Sequence, residues 1–210
     1  MNKATCLIWG LLLTTYIPAT ARQATPAAAT SDLKITLRVY DYAGLQPELL
    51  RRSLDEAGII LRDAGVVVEP IICTQNAPPA VCRQVPDPLN IAVRIVPKPV
   101  PGADYGTLGY AAGQYITVNY TRVERFADRS GVYLDRILGC VLAHELGHVL
   151  LGPDSHSAKG IMTAHLTDEE LVQIRAMFIG FLPFQKARIR AYVLAQTREL
   201  GAATIASASR

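Results

Sequence analysis

The sequence of 210 residues has little net charge, four cysteines, four histidines and no long apolar run. Each shortage excludes something. A formal charge of +3, with no cluster of Lys and Arg and no recognition motif, offers no electrostatic footprint for nucleic acid. The longest apolar stretch, residues 4–17, falls short of the roughly 20 residues that a membrane helix needs, so no stable span is expected in the mature chain. No internal repeat is visible, which argues against a solenoid or propeller. The cysteines lack a second pair at zinc-ligand spacing, which argues against a cysteine-based structural metal site. Disorder is also excluded, because 50% of the residues are hydrophobic and only 19% are charged. A chain of this length buries one core and makes one ordinary domain, and a monomer is expected.

The N-terminus has a basic start at Lys3, the apolar stretch, Pro18 and then Ala19-Thr20-Ala21. This is the pattern of a signal peptide over residues 1–21, and it predicts a secreted or periplasmic protein. Residues 22–32, rich in Ala, Thr and Pro, are expected to form a flexible tail. Cleavage would remove Lys3 and Cys6, leaving 20 basic and 18 acidic groups and three cysteines. In an oxidising compartment Cys73 and Cys82 can close a short loop across Pro78-Pro79 as a disulfide. Cys140, on an apolar helix face, is expected to be a buried free thiol.

The folded domain is expected over residues 33–200, followed by a loose tail over 201–210. Alternation over 33–40 sets Ile35, Leu37 and Val39 against Lys34, Thr36 and Arg38, the pattern of a half-buried strand. Helical spacing of Leu50, Leu54, Ala57 and Leu61 follows from Pro47 to Gly65. Strands are expected over 66–72, 90–96, 107–111 and 115–120, with an exposed proline-rich loop over 97–104. Asp135 is expected to cap an apolar helix ending at Gly152-Pro153. Thr167 with Glu170 reads as a capping box for a helix over 168–177, and a last helix is expected over 184–200. Lys186, Arg188, Arg190 and Arg198 give that last helix a basic face, expected to be solvated. The order gives an α/β (α+β) single domain with one mixed sheet and helices packed on it.

All four histidines fall between His144 and His165. His144-Glu145-Leu146-Gly147-His148 places two imidazoles one helical turn apart on one face, where both can reach one Zn²⁺. Glu145 is then placed as a general base toward a metal-activated water. With four His and eight Glu, HExxH arises by chance about 0.003 times in such a chain. The flanks Val141-Leu142-Ala143 and Val149-Leu150-Leu151 are apolar, so polar groups in this helix need partners. A catalytic zinc wants a third protein ligand and an open position. The candidates downstream are His156, Asp154, and Glu169 or Glu170.

The run from His144 to Met162 resembles the metzincin clan of zinc peptidases, and more closely a group of small bacterial secreted proteins with the same HELGH signature. The matching residues are His144, Glu145, His148, Gly152, His156 and Gly160-Ile161-Met162. The resemblance is specific over residues 137–165 and general elsewhere. It implies a zincin-like fold with a mixed twisted sheet, an active-site helix and C-terminal helices. It also implies a methionine turn at Met162 beneath the metal, and an edge strand near residues 106–113 that pairs with an extended substrate. The spacing departs from the family, because Leu151 stands where the turning glycine belongs and Asp154 where the third ligand belongs. His156 is the preferred third ligand, since Gly152-Pro153 delays the turn and neutral imidazole suits zinc. Asp154 and the later glutamates stay open. The activity implied is that of an exported zinc-dependent endopeptidase acting on a peptide or protein substrate. The alternative is a non-catalytic exported zinc-binding module. His165 is expected to be a structural histidine.

Overall fold

A computed structural model of the chain describes residues 33–74, 76, 78–98 and 106–208, with side chains up to residue 203. The expected signal peptide, the flexible tail and most of the proline-rich loop lie outside the described residues. Five strands form one sheet in the order β2-β1-β3-β5-β4. They are β1 (Leu33–Asp41), β2 (Val66–Ile72), β3 (Asn90–Val96), β4 (Gly109–Ala112) and β5 (Tyr115–Asn119). The first four in this order run parallel, and β4 lies antiparallel to β5 at the edge. The single mixed sheet with helices packed on it is the architecture that the element order implies.

Register puts one apolar face together: Leu37 opposite Ile91, Val39 opposite Val93, Val93 opposite Ile116, and Ile95 opposite Val118. These side chains share a core with α1 (Pro47–Asp63) and α3 (Leu134–Leu151). The two helices approach closely where Gly139 of α3 meets α1. A side chain at 139 would lie 2.5 Å from Glu56 Cβ and 2.8 Å from the Ser53 carbonyl oxygen. Pro47 starts α1, and Glu48 is bonded to Arg51 and Arg52 on its solvent side. Gly65 ends the turn after α1 at φ +82°, and its bare Cα leaves room for the stem of Arg190.

The opposite face of β1 is covered, contrary to the half-buried reading of its alternation. Arg38 is only 1% exposed. Its Nη1 donates to the carbonyls of Val81 (2.8 Å) and Gln84 (2.6 Å). Tyr40 donates its hydroxyl to the Cys82 carbonyl at 2.5 Å. A 3₁₀ turn, Ala80–Arg83, therefore packs over this side. The Cys73–Cys82 disulfide ties it to the end of β2, with the two Cα atoms 5.8 Å apart. Cys140 is free and buried, and burial pushes its thiol pKa up.

Two helical readings change. Residues 120–130, passed over in the sequence, form α2 (Tyr120–Ser130) and end at Gly131 with φ +62°. Val123 and Ala127, four apart and both buried, are its signal. Asp135 does not cap α3; Tyr133 holds that position without a side-chain bond, and Asp135 stands in the first turn. There its carboxylate still suits the positive end of the helix.

The capping box at Thr167 and Glu170 is present, and α4 (Asp168–Arg175) follows it. The final helix α5 (Pro183–Ala208) continues through most of the stretch expected to be a loose tail. Its basic face is solvated as expected, with Arg188, Arg190 and Arg198 exposed, and three of its four cations also find partners. Lys186 pairs with Asp63 (2.6 Å), Arg188 donates to the Leu151 carbonyl (3.0 Å) and Arg190 to that of Ala64 (3.2 Å). Among the described residues no helix is long and apolar enough to cross a membrane.

Candidate metal centre

Helix α3 presents His144 and His148 one turn apart, as their spacing requires. His148 Nε2 lies 3.1 Å from His144 Nε2 and 3.1 Å from His156 Nε2. One ring nitrogen from each histidine falls within 4.8 Å of the other two. Four ligands about zinc at 2.0–2.1 Å place neighbouring nitrogens roughly 3.3 Å apart, so the two separations from His148 are close to those of a tetrahedral set.

The protonation pattern is fixed from outside the cluster. His144 Nδ1 sits 2.7 Å from the Ile161 carbonyl, which can only accept, so Nδ1 carries the proton and Nε2 keeps its lone pair. His148 Nδ1 is 3.1 Å from the Ser155 hydroxyl, which can accept its proton in the same way. Burial holds the His144 pKa down at about 4 and also lowers that of His148, with the neighbouring histidines adding to both shifts. Their Nε2 lone pairs, turned toward each other, repel until a cation sits between them. The donor set, three imidazoles with no fourth protein ligand in the group among the described residues, therefore fits a metal with an open position.

Glu145 follows His144 on the helix and is only 4% exposed. Its Oε2 finds no hydrogen-bond partner among the described residues. Burial raises its pKa to about 8 in the metal-free protein. The carboxylate rests against edge strand β4, where Gly109 supplies no side chain to displace it. An orphaned buried carboxyl beside a convergent histidine set is an expensive arrangement that a fold keeps for chemistry.

The loop after α3 brings one of the three candidates to the helix pair. Gly152 turns the chain at φ +101°, a conformation that favours glycine, and Ser155 is buried while His156 reaches the pair. Asp154 is exposed and outside the group, as is Glu169. Glu170 is committed to the capping box. His165 is exposed and also stands apart from the group.

Met162 is fully buried against the helix. A side chain at Gly147 would collide with Met162 Sδ and would lie 2.9 Å from Phe181 Cε1. Gly160, at φ +77°, lets Ile161 donate to the Gly180 carbonyl at 2.9 Å. Ile161 is thereby held where its own carbonyl meets His144. Tyr110 and Tyr115 do not line this side. Strand alternation points them to the sheet face opposite the one where Gly109 meets Glu145. A groove of about 700 Å³ lies elsewhere, between Tyr40, Tyr42, Leu50 and Ile72, and includes none of the histidines.

Sequence reasoning passed over two contributors. Gly109 was only one of several glycines in a glycine-rich stretch. Gln185 carried no local signal, because it acts across 28 and 30 residues of chain on Ser157 and Ser155.

No protein-family model matches the sequence, and no curated protein matches it. Among solved structures, the chain is similar to an archaemetzincin from Methanopyrus kandleri at 16% identity, with 79% of this chain and 99% of that one covered and a TM-score of 0.49. It is also similar to metalloproteinase-II from Bacteroides fragilis at 16% identity, with 74% of this chain and 56% of that one covered and a TM-score of 0.41.

Proposed function

We propose that this protein is an exported zinc-dependent endopeptidase, with His144, His148 and His156 holding the metal and Glu145 as general base. The observation that carries the reading is the convergence of three imidazoles next to a buried carboxyl whose Oε2 has no hydrogen-bond partner among the described residues. A zinc ion held there would polarise a carbonyl and lower the pKa of water. A nearby cation also brings the Glu145 pKa down, so the carboxylate is ionised when the site is loaded. Glu145 then takes a proton from water as its oxygen attacks the scissile carbonyl carbon, and returns that proton to the departing amine. Edge strand β4, which meets Glu145 at Gly109, is the surface on which an extended peptide would add as a further strand. Met162 packs under the helix between the two ligand positions, at Gly147, as a methionine turn would.

A closed structural zinc site would need a fourth protein ligand. Cys140 does not supply it, because its thiol is buried away from the histidine group, near Glu56. The Cys73–Cys82 disulfide and the signal-like N-terminus support export.

The test is metal content together with cleavage of casein and a peptide library, on wild type and Glu145→Gln. One zinc per chain with cleavage that Glu145→Gln abolishes is the expected result. Full zinc with no cleavage by wild type would instead make the chain a non-catalytic zinc module. No zinc at all would end both readings.

A further inference from the structure

Resting on the metal centre proposed above, we infer that Gln185 is a positioning residue that sets the third-ligand loop. Gln185 stands in the first turn of α5 and is 1% exposed. Its Oε1 accepts the Leu182 backbone N–H at 2.9 Å, which fixes the orientation of the amide. That is the reach-back half of a capping box, and a glutamate would serve it equally well. The amide nitrogen does what a glutamate cannot. Nε2 donates to the Ser155 carbonyl at 3.4 Å and to Ser157 Oγ at 3.2 Å. The two acceptors lie immediately before and after His156, so one buried side chain brackets that residue on both sides.

The bracket continues into the rest of the centre. Ser155 Oγ meets His148 Nδ1 at 3.1 Å. Ser157 donates its backbone N–H to the Met162 carbonyl at 2.8 Å and its hydroxyl to the Lys159 carbonyl at 2.8 Å. Gln185 therefore joins the start of α5, the His156 loop and, through Ser155, a helix histidine. His156 itself is exposed, and a loop carrying an exposed side chain has many conformations unless its backbone is tied.

The experiment measures zinc affinity of the full chain by competition with a chromophoric chelator, for wild type, Gln185→Met, His156→Ala and the double variant. Methionine keeps the length and burial of the side chain and removes its donors. Gln185→Met is expected to weaken zinc binding by about 10- to 100-fold, the usual cost of losing a group that orients a ligand. In the His156→Ala background the same change is expected to cost less than about 3-fold, because the ligand it positions is gone. The visible spectrum of the Co²⁺-loaded Gln185→Met protein should shift toward that of His156→Ala, which a mere loss of fold stability would not cause. Ser157→Ala, which removes one acceptor from a partly exposed residue, should move affinity in the same direction by a few-fold. It serves if Gln185→Met does not fold. Unchanged zinc affinity in these variants, or an equal loss with and without His156, overturns the positioning role. A wild-type protein that takes up no zinc overturns the metal centre itself.

Discussion

Gly109 of β4 and Glu145 of α3 are in direct contact, and the carboxylate fills the space that any side chain at 109 would occupy. A Cβ there would stand 2.9 Å from Oε1 and 3.1 Å from Cγ. The edge strand therefore sets where the proposed general base can lie, and it does so by what it lacks.

Gly109→Ala tests this relationship. The clash falls on the far end of a flexible side chain, so Glu145 should swing aside at a stability cost within about 1 kcal/mol. A displaced base loses its line to the reacting water, and about 1 Å of misplacement can cost ~10²-fold in rate. Peptide cleavage should drop by about that factor with zinc content unchanged. Wild-type activity in Gly109→Ala would show that the contact does not position the base.

His156→Ala should lower zinc affinity by at least ~100-fold, since it removes one of three donors rather than a supporting contact. Asp154→Asn and His165→Ala should each stay within about 2-fold of wild type, because neither residue joins the histidine group. Chelator competition on the three variants separates the candidates. A large loss in Asp154→Asn would reassign the third ligand.

Stability of the metal-free protein should depend on pH with opposing signs from two groups. Glu145, raised from 4.5 to about 8, holds an extra proton in the folded state between those values. Its contribution is full below pH 4.5 and is lost as pH rises toward about 8. His144, lowered from 6.5 to about 4, contributes above pH 6.5, and that contribution is lost as pH falls toward about 4. Between pH 6.5 and 8 only the Glu145 slope remains of the two. The Tm of chelator-treated wild type should fall across that interval, while that of Glu145→Gln should hold steady. Equal slopes in both proteins would contradict the burial argument for Glu145.

Replacing Cys73 and Cys82 together by Ser should cost about 2–3 kcal/mol, the loop-closure entropy of a short bridge. The bridged turn covers the Arg38 side of the sheet, whereas α3 packs on the other side. Zinc affinity should therefore be unchanged in the double variant while chemical denaturation shifts to lower urea. A loss of zinc affinity would mean that the two faces are coupled.

Local sequence rules reached as far as local geometry reaches. The register of His144, Glu145 and His148 followed from the helix repeat, because 3.6 residues per turn place i and i+4 on one face whatever surrounds them. Helix α1 was legible for the same reason, the strands from their alternation with a period of two, and the Cys73–Cys82 bridge from the shortness of its loop. Val123, Ala127 and Gly131 held the signal for α2, and it was passed over. What the sequence could not determine was anything set by contacts between distant segments. Arg38 alternates as a solvent-facing residue, yet the disulfide-tied turn buries it. Three kinds of side chain stood as candidates for the third position, and spacing did not choose among them. The tertiary structure brings His156, and neither Asp154 nor the glutamates, to the helix pair, on a loop that turns at Gly152 and is bonded at Ser155 and Ser157 by Gln185 from a helix about 30 residues away. A helix fixes its own side chains through its backbone hydrogen bonds, whereas a loop takes its position from whatever it is tied to.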